Sequence, residues 1–469
     1  MNGQVGKCMN PVLWASNEDR KRDPSRVGLI QLAYPILLES ILRSTVSLID
    51  VAFLSRVSDS VVSAVSVAGQ YIMLSMILAM SVSSGTLVCI NQALGMKNRS
   101  KVNRYASLAV VTNLLLGLLF GLVFLMIPEF MLGIMTLDAE AAEAAALYMR
   151  IYGGLMIFQC AEIVFSSICR SIGKTNAPLI INLVANIVNV AGNYIAVFHP
   201  ELLGISQVAG VAAASVLSRV VSLCIAAGVA CSAGIRISLK HFRPFPKEDF
   251  RLMLSIGIPG GVSNIAYSLS QLVTTSIISL TGTVMVATKV YVSNLVHYIA
   301  LVGMSFSQAS SLMVGYRVGA GKYDEANYIR ALVTRVAVLS NAFFSIAVIL
   351  LRVPLMQIFT ADEVIIRTAS IVFLIDFVVE IGRALNNSLA GALQAAGDVT
   401  YQLIVNQASA WIVSVGGAYL FGIALGWGLY GVWVGFALDE MTRGLILLHR
   451  WRSQKWIAVA EKRRNVIAK

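Results

Sequence analysis

The stretch from Tyr105 to Ile127, YASLAVVTNLLLGLLFGLVFLMI, runs 23 residues without a charged side chain. A bilayer hydrocarbon core is about 30 Å thick, and an α-helix rising 1.5 Å per residue crosses it in about 20 residues. The run is continuous rather than alternating. A membrane β-strand would show segments of about ten residues, apolar and polar in turn, so the spacing predicts a transmembrane helix. Punctuation by charge, glycine and proline places similar runs at about 28–54, 62–92, 144–169, 177–198 and 208–232, and then at 252–280, 284–316, 328–351, 365–395, 401–421 and 428–448. With 105–127 these make twelve spans.

Composition agrees. Of 469 residues, 57% are apolar and 13% charged, with a mean hydropathy of +0.77, against roughly 45–50% and about 25% in soluble domains. Soluble cores stop growing at about 250–300 residues, so lipid is the solvent for the surplus. The formal charge of +12 would point to nucleic acid in a soluble chain; here its location matters more. Six cysteines (Cys8, Cys89, Cys160, Cys169, Cys224, Cys231) form no CxxC pair and read as small buried hydrophobes. Residues 1–26 are polar and lack the apolar core of a cleavable signal.

Lysine and arginine concentrate on one side of the predicted topology. They fill the N-terminal arm, the connections after spans 2, 4 and 8, the central loop (Arg236, Lys240, Arg243, Lys247, Arg251) and the tail from Arg450 to Lys469. The connection after span 3 is acidic instead (Glu129, Asp138, Glu140, Glu143). The bias of bases toward the cytoplasm puts both termini there, in the cytoplasmic (inner) membrane of a multi-pass protein.

The two halves repeat. Pro35 and Pro259 are 224 residues apart, as are Gly95 and Gly319, Asn103 and Asn327, and Gly173 and Gly397; Gly210-Val211 and Gly431-Val432 follow at 221. Each half holds six spans, so the copies share one topology and should be related by an axis along the membrane normal. The expected organisation is an arm at 1–27, an N-lobe at 28–233, a basic connecting loop at 234–251, a C-lobe at 252–448 and a basic tail at 449–469.

Several motifs resemble those of the multidrug and toxin extrusion (MATE) transporters. They are Leu32-Ala-Tyr-Pro35 followed by Asp50, Gln92-Ala-Leu-Gly95, Arg170-Ser-Ile-Gly173-Lys-Thr175, and Ser307-Gln308-Ala309 followed by Gly315-Tyr-Arg-Val-Gly319-Ala-Gly321-Lys322. The likeness covers roughly residues 28–450. It implies a V-shaped, two-lobed, all-α transporter that exports organic compounds in exchange for H⁺ or Na⁺ by alternating access. It implies no cofactor and no nucleotide, and the chain has no phosphate loop of the GxxxxGK[ST] type. The implied partners are a small organic substrate, cationic or amphiphilic, and membrane lipid, with no nucleic acid; one two-lobed chain suffices as a monomer.

Ionisable groups inside a bilayer are costly and mark function by default. Span 1 holds Glu39 and Arg43, four apart on one face, and Asp50 three turns on, with Glu39 among the cation-coupling candidates. In the family branch named for a DNA-damage-inducible protein, an essential aspartate stands where Asp50 stands, fifteen residues after the proline. The resemblance thus makes Asp50 the expected cation-coupling carboxylate, metal-free or with Na⁺. The bland alternative is a structural carboxylate capped by Thr45 or Ser47. Span 5 carries Asn182, Asn186, Asn189 and Asn193 along one face. Family members with an N-lobe cation site resemble this pattern but have an aspartate where Asn193 stands, so one negative charge is missing. The ladder serves either cation coupling (Asn189, Asn193) or helix adhesion, with Asn186 a cleft candidate. Glu162 in span 4 is a further proton candidate.

Another branch places an acid two turns after the span-7 proline. No Asp or Glu occurs here between Asp249 and Asp324, and Tyr267 occupies that neighbourhood. Span 10 instead offers Asp376, Glu380 and Arg383, a gating or proton-linked group or a static ion pair. In span 12, Asp439, Glu440 and Arg443 read as a solvated cytoplasmic cap. Tyr267, Asn186 and Met73 are candidates for an adaptable substrate cleft, or packing residues. His297 reads as structural. Few bases besides Arg43 and Arg383 lie inside the spans, which disfavours the alternative of a flippase for lipid-linked saccharides. Four scattered histidines with no HExxH, CxxC or GxSxG disfavour an enzyme.

Overall fold

The computed structural model describes residues 28–133, 138–243 and 245–468; the side chains of 45–52, 59 and 203 lie outside that description. Among the described residues the regular structure is helical. The spans are α1 (Leu29–Leu54), α2 (Asp59–Gly95), α3 (Arg99–Met126), α4 (Ala139–Tyr148, resumed at Met156–Ser171), α5 (Asn176–Phe198) and α6 (Gln207–Ser232). They continue as α7 (Lys247–Ser279), α8 (Thr283–Gly319), α9 (Tyr323–Leu350), α10 (Glu363–Ala396), α11 (Val399–Ser409, prolonged to Ala424) and α12 (Gly428–Arg452). A further helix, α13 (Lys455–Ala468), follows. Among the described residues, nine of the spans are long and apolar enough to cross a membrane by length and composition alone, counting α4 as one.

The chain divides into two compact units. The N-terminal unit is Leu38–Gly261; the C-terminal unit is Val262–Lys469 together with the segment up to Leu37. The chain changes unit inside α1 and inside α7, each time two residues after the helix's internal proline, Pro35 or Pro259. Proline removes an i→i−4 hydrogen bond, so both changes fall where the helix backbone is weakest. These limits follow packing, whereas the expected lobes at 28–233 and 252–448 follow the repeat.

The repeat is visible in how the helices pack. In the N-terminal unit α4 lies against α2, α3 and α6; in the C-terminal unit α10 lies against α8, α9 and α12. Spans 4 and 10 occupy equivalent places, so both are surrounded by protein and their polar side chains are buried. Turn geometry repeats too: Gly173 and Gly397 both take left-handed φ (76° and 87°) after α4 and α10. After α8 the turn uses Gly321 (φ 74°), while the matching position after α2 is Lys97 at φ 57°.

α4 bends by 49° between its two segments. A π-helical turn at Met149–Gly153 and the Gly153-Gly154 pair account for the break. At the base-rich end, α7 begins with Asp249, 3% exposed, which accepts from Lys101 Nζ (3.0 and 3.2 Å), Arg104 Nη1 (3.2 Å) and Tyr105 Oη (2.8 Å) on α3. The loop before it docks on the same helix through Arg236 N to Asn103 Oδ1 (3.0 Å) and Ser238 N to Ser107 Oγ (3.1 Å). In the C-terminal unit the repeat-equivalent Asn327 accepts from Trp451 Nε1 (2.7 Å). The tail is thus more than a basic extension: Trp456 on α13 stacks on Trp451, and Arg464 Nε donates to Gly319 O (3.1 Å).

Of the cysteines, Cys89, Cys160 and Cys169 are buried as expected, and Cys8 lies outside the described residues. Cys224 and Cys231 are exposed on α6, a departure with a simple cause. α6 packs against α4 and α5, and both cysteines fall on its open face.

Candidate functional site

In the N-terminal unit, Glu39 is 4% exposed and fully engaged. Its carboxylate accepts from Arg170 Nη1 at 2.9 and 3.0 Å, Arg43 Nη2 at 2.8 Å and Asn182 Nδ2 at 3.2 Å, so one acid ties α1 to α4 and α5. Each ion removed from water must be repaid by close, hydrogen-bonded partners, and Glu39 has them. Asp50 belongs to α1, but its side chain lies outside the described residues.

The α5 ladder divides. Asn182 serves Glu39; Asn193 Nδ2 donates to Asn189 Oδ1, and Asn189 Nδ2 to Ser215 Oγ on α6, both at 3.3 Å. Asn186 is half-buried and its Nδ2 has no protein partner. On α4, Glu162 (2% exposed) accepts from Gln159 Nε2 at 3.3 Å, and Gln159 Oε1 accepts from Tyr152 Oη at 3.2 Å. The sequence reading found few intramembrane bases besides Arg43 and Arg383; Arg219, half-buried near the middle of α6, and Arg443, buried in α12, join them.

The C-terminal unit holds the larger cluster. Asp376, Glu380 and Arg383 line one face of α10. Asp376 accepts from Trp433 Nε1 at 3.0 Å; Glu380 pairs with Arg383 and accepts from Asn341 Nδ2 on α9 at 3.0 Å. Arg383 Nε also lies 3.6 Å from Glu440 on α12. Glu440 accepts from Asn386 Nδ2 and Arg443 Nη2, each at 2.9 Å. Arg443 reaches Asp439 at 2.5 Å, and Asp439 accepts from Ser409 Oγ at 2.6 Å. The contact between α10 and α12 is possible because residue 382 is glycine: a Cβ there would stand 2.9 Å from Glu440 Cβ and Met441 N.

The expected solvated cap in span 12 is therefore corrected. Asp439, Glu440 and Arg443 are 2%, 5% and 5% exposed, because they fall in mid-helix on the face of α12 that meets α10. They join the span-10 residues in a single network. Asn341, Ser409 and Trp433 were missed by sequence reading. Asn341 had a signal, a carboxamide within an apolar run; Trp433 and Ser409 had none.

The network holds four carboxylates (Asp376, Glu380, Asp439, Glu440) and two guanidiniums (Arg383, Arg443). Two carbonyl oxygens beside it, Asn341 Oδ1 and Asn386 Oδ1, are buried without a partner. Acids in excess of bases at such depth require protons or cations for neutrality, and the spare amide oxygens are the acceptors such a donor or ion would meet. The proposed cleft residues Met73 and Tyr267 are 66% and 38% exposed, with Arg443 lying 5.9 Å from the Tyr267 ring centroid. His297 is exposed, its ring edge-on to Tyr298 at 5.9 Å.

Comparison with known proteins bears on this arrangement. The MatE family model matches residues 35–195 and 259–420, two segments whose starts are the repeated prolines. An uncharacterized transporter of Bacillus subtilis, YisQ, is 32% identical over 96% of this chain and 99% of its own length. A probable multidrug resistance protein, NorM of Thermotoga maritima, is 26% identical over 92% and 93%. Among solved structures, an outward-facing multidrug resistance MATE transporter of the MOP superfamily superposes with a TM-score of 0.84 at 21% identity, covering 94% of this chain and 97% of that one. A MOP superfamily transporter from Pyrococcus furiosus gives 0.83 at 20%, with the same coverage.

Proposed function

The chain belongs to the MatE family of membrane transporters, and from that premise we propose that it is a secondary antiporter. It exports organic, cationic or amphiphilic compounds in exchange for H⁺ or Na⁺ by alternating access, as a monomer in the inner membrane with both termini cytoplasmic. It performs no covalent chemistry and needs no cofactor beyond the coupling ion.

The observation that carries the coupling is the excess of buried acids in the C-terminal unit. Four carboxylates against two guanidiniums leave two negative charges to be met by an ion from outside, and Glu380, wholly buried, sits between Arg383 and Asn341. Binding an ion there changes the network's charge, and a change of charge in a low-dielectric site is a large energetic signal. Asp50 is the proposed second coupling site, with Asn189, Asn193 and Glu162 as its supporting polar groups. Glu39 is the acid that anchors α1. Substrate contacts are assigned to Tyr267, Asn186 and Met73.

The test is uptake of a cationic dye by everted vesicles under an imposed pH or Na⁺ gradient. The wild type takes up dye with one gradient, which names the ion. Glu380→Gln and Asp50→Asn each lower gradient-driven uptake at least tenfold. Normal uptake by Glu380→Gln would remove the C-terminal network from coupling. Absence of uptake under either gradient would favour transport of lipid-linked saccharides instead.

A further inference from the structure

Several bases at the base-rich end of the molecule have acid partners. Lys101 and Arg104 share Asp249, Arg450 holds Asp398 at 2.8 Å, and Lys322 and Arg317 share Glu325. Among those without one, three arginines of the C-terminal unit stand together. Arg330 and Arg335 on α9 and Arg452 at the end of α12 make no ion pair among the described residues. Arg330 is half-buried, its Nε is shielded without a hydrogen-bond acceptor, and its guanidinium lies 5.8 Å from the Trp451 ring centroid. The charges acting on it are Arg452 and Arg335, both of its own sign. Like charges gathered without a counter-charge are unfavourable unless an anion completes them.

Depth identifies the anion. From residue 336 to 351, α9 and its continuation carry no charge, then Arg352 follows. Sixteen helical residues span about 24 Å, most of a hydrocarbon core. Arg335 therefore stands at one edge of that core. Helical side chains point back toward the N-terminus, so Arg335 reaches toward Arg330 and the headgroup layer. Arg335 and Arg452 are exposed, open to lipid headgroups and the interfacial water. Guanidiniums present paired donors that match phosphate oxygens, and basic pockets at helix ends hold anionic headgroups.

We propose that Arg330, Arg335 and Arg452, with Trp451 as the floor, bind the phosphate of an anionic phospholipid headgroup. The site is independent of the transport network: neither Arg383 nor Arg443 contributes to it.

The test is native mass spectrometry of the full chain released from micelles doped with phosphatidylglycerol or with phosphatidylcholine of the same acyl chains. The wild type retains phosphatidylglycerol preferentially. At about fivefold per arginine, Arg335→Gln/Arg452→Gln needs about 25-fold more of that lipid for equal occupancy. Both positions are exposed, so the variant keeps the wild-type circular dichroism and melting temperature. Arg367→Gln, at an exposed arginine on α10, retains lipid like the wild type. Equal retention by the double variant, or equal retention of the two lipids, overturns the proposal. Displacement of phosphatidylglycerol by inorganic phosphate at matched concentration would also overturn it, assigning the three arginines to a free anion.

Discussion

Arg383 holds Glu380 on its own helix and approaches Glu440 on the next, so its removal strands two buried carboxylates at once. Breaking a buried pair from one side costs about 3–5 kcal/mol, because the surviving charge stays buried without compensation. Arg383→Gln is accordingly expected to lower the apparent melting temperature in detergent sharply. Adding Glu380→Gln removes one of the stranded charges and should recover much of the loss. If Arg383→Gln melts like the wild type, the network is hydrated well enough that its charge balance does not matter, and the argument for ion demand fails with it. The residues of this network were only partly legible. Glu380 and Arg383 announce themselves by spacing in an apolar run, since i,i+3 residues share a helix face. Asp439, Glu440 and Arg443 have the same spacing but stand near the base-rich tail, where a solvated cap reads equally well. What buries them is the glycine at 382, which lets α12 approach α10. That contact joins residues 54 or more apart in sequence, such as Asn386 and Glu440, and no local pattern reports it.

At the level of helices and turns, the duplication makes each half a control for the other. Arg383 and Asn386 on α10 stand 224 residues after Gln159 and Glu162 on α4. These two positions are therefore polar in both units, with a positive charge at them only in the second. Asn103 accepts from a loop amide just after the sixth helix of its half, and Asn327 from Trp451 in the last turn of α12. The turn after the second helix differs in a way that has a measurable consequence. Gly321 takes its left-handed conformation freely, whereas Lys97 holds φ 57° with a Cβ present, which costs roughly 1 kcal/mol. Lys97 belongs to no ion pair or side-chain bond described above. Lys97→Gly is therefore expected to stabilise the protein by about 0.5–1 kcal/mol, read as a raised melting temperature with unchanged dye uptake. A lower melting temperature would mean that glycine's extra freedom in the unfolded chain outweighs the relieved strain.

Across the molecule, element existence was readable while tertiary placement was not. Twelve spans follow from runs of apolar residues because lipid demands helices whose backbone groups are satisfied internally. The repeat follows from prolines and glycines, which mark backbone geometry. By contrast, the exchange of units inside α1 and α7, the docking of α13 and the burial of α12's charges each depend on which surfaces meet. The charge ledger illustrates the difference. In the N-terminal half, Glu39, Asp50 and Glu162 are matched in number by Arg43, Arg170 and Arg219, whereas the network between α10 and α12 is two bases short. A sequence count yields these totals, but only packing shows that the second set forms one cluster. The asymmetry of bases between the two ends of the helices leads to the last expectation, sidedness. Bases stay on the side of synthesis because moving them across the bilayer is costly. The connection around Arg236–Arg243 should then be cytoplasmic and the acidic one between α3 and α4 should be outside. Alkaline phosphatase fused after Gly133 is expected to be active in a bacterial host, and fused after Arg243 inactive; green fluorescent protein at the same two points should give the reverse. Activity of phosphatase at Arg243 would invert the chain, place Arg330, Arg335 and Arg452 in the outer leaflet, and turn the proposed exporter's polarity around.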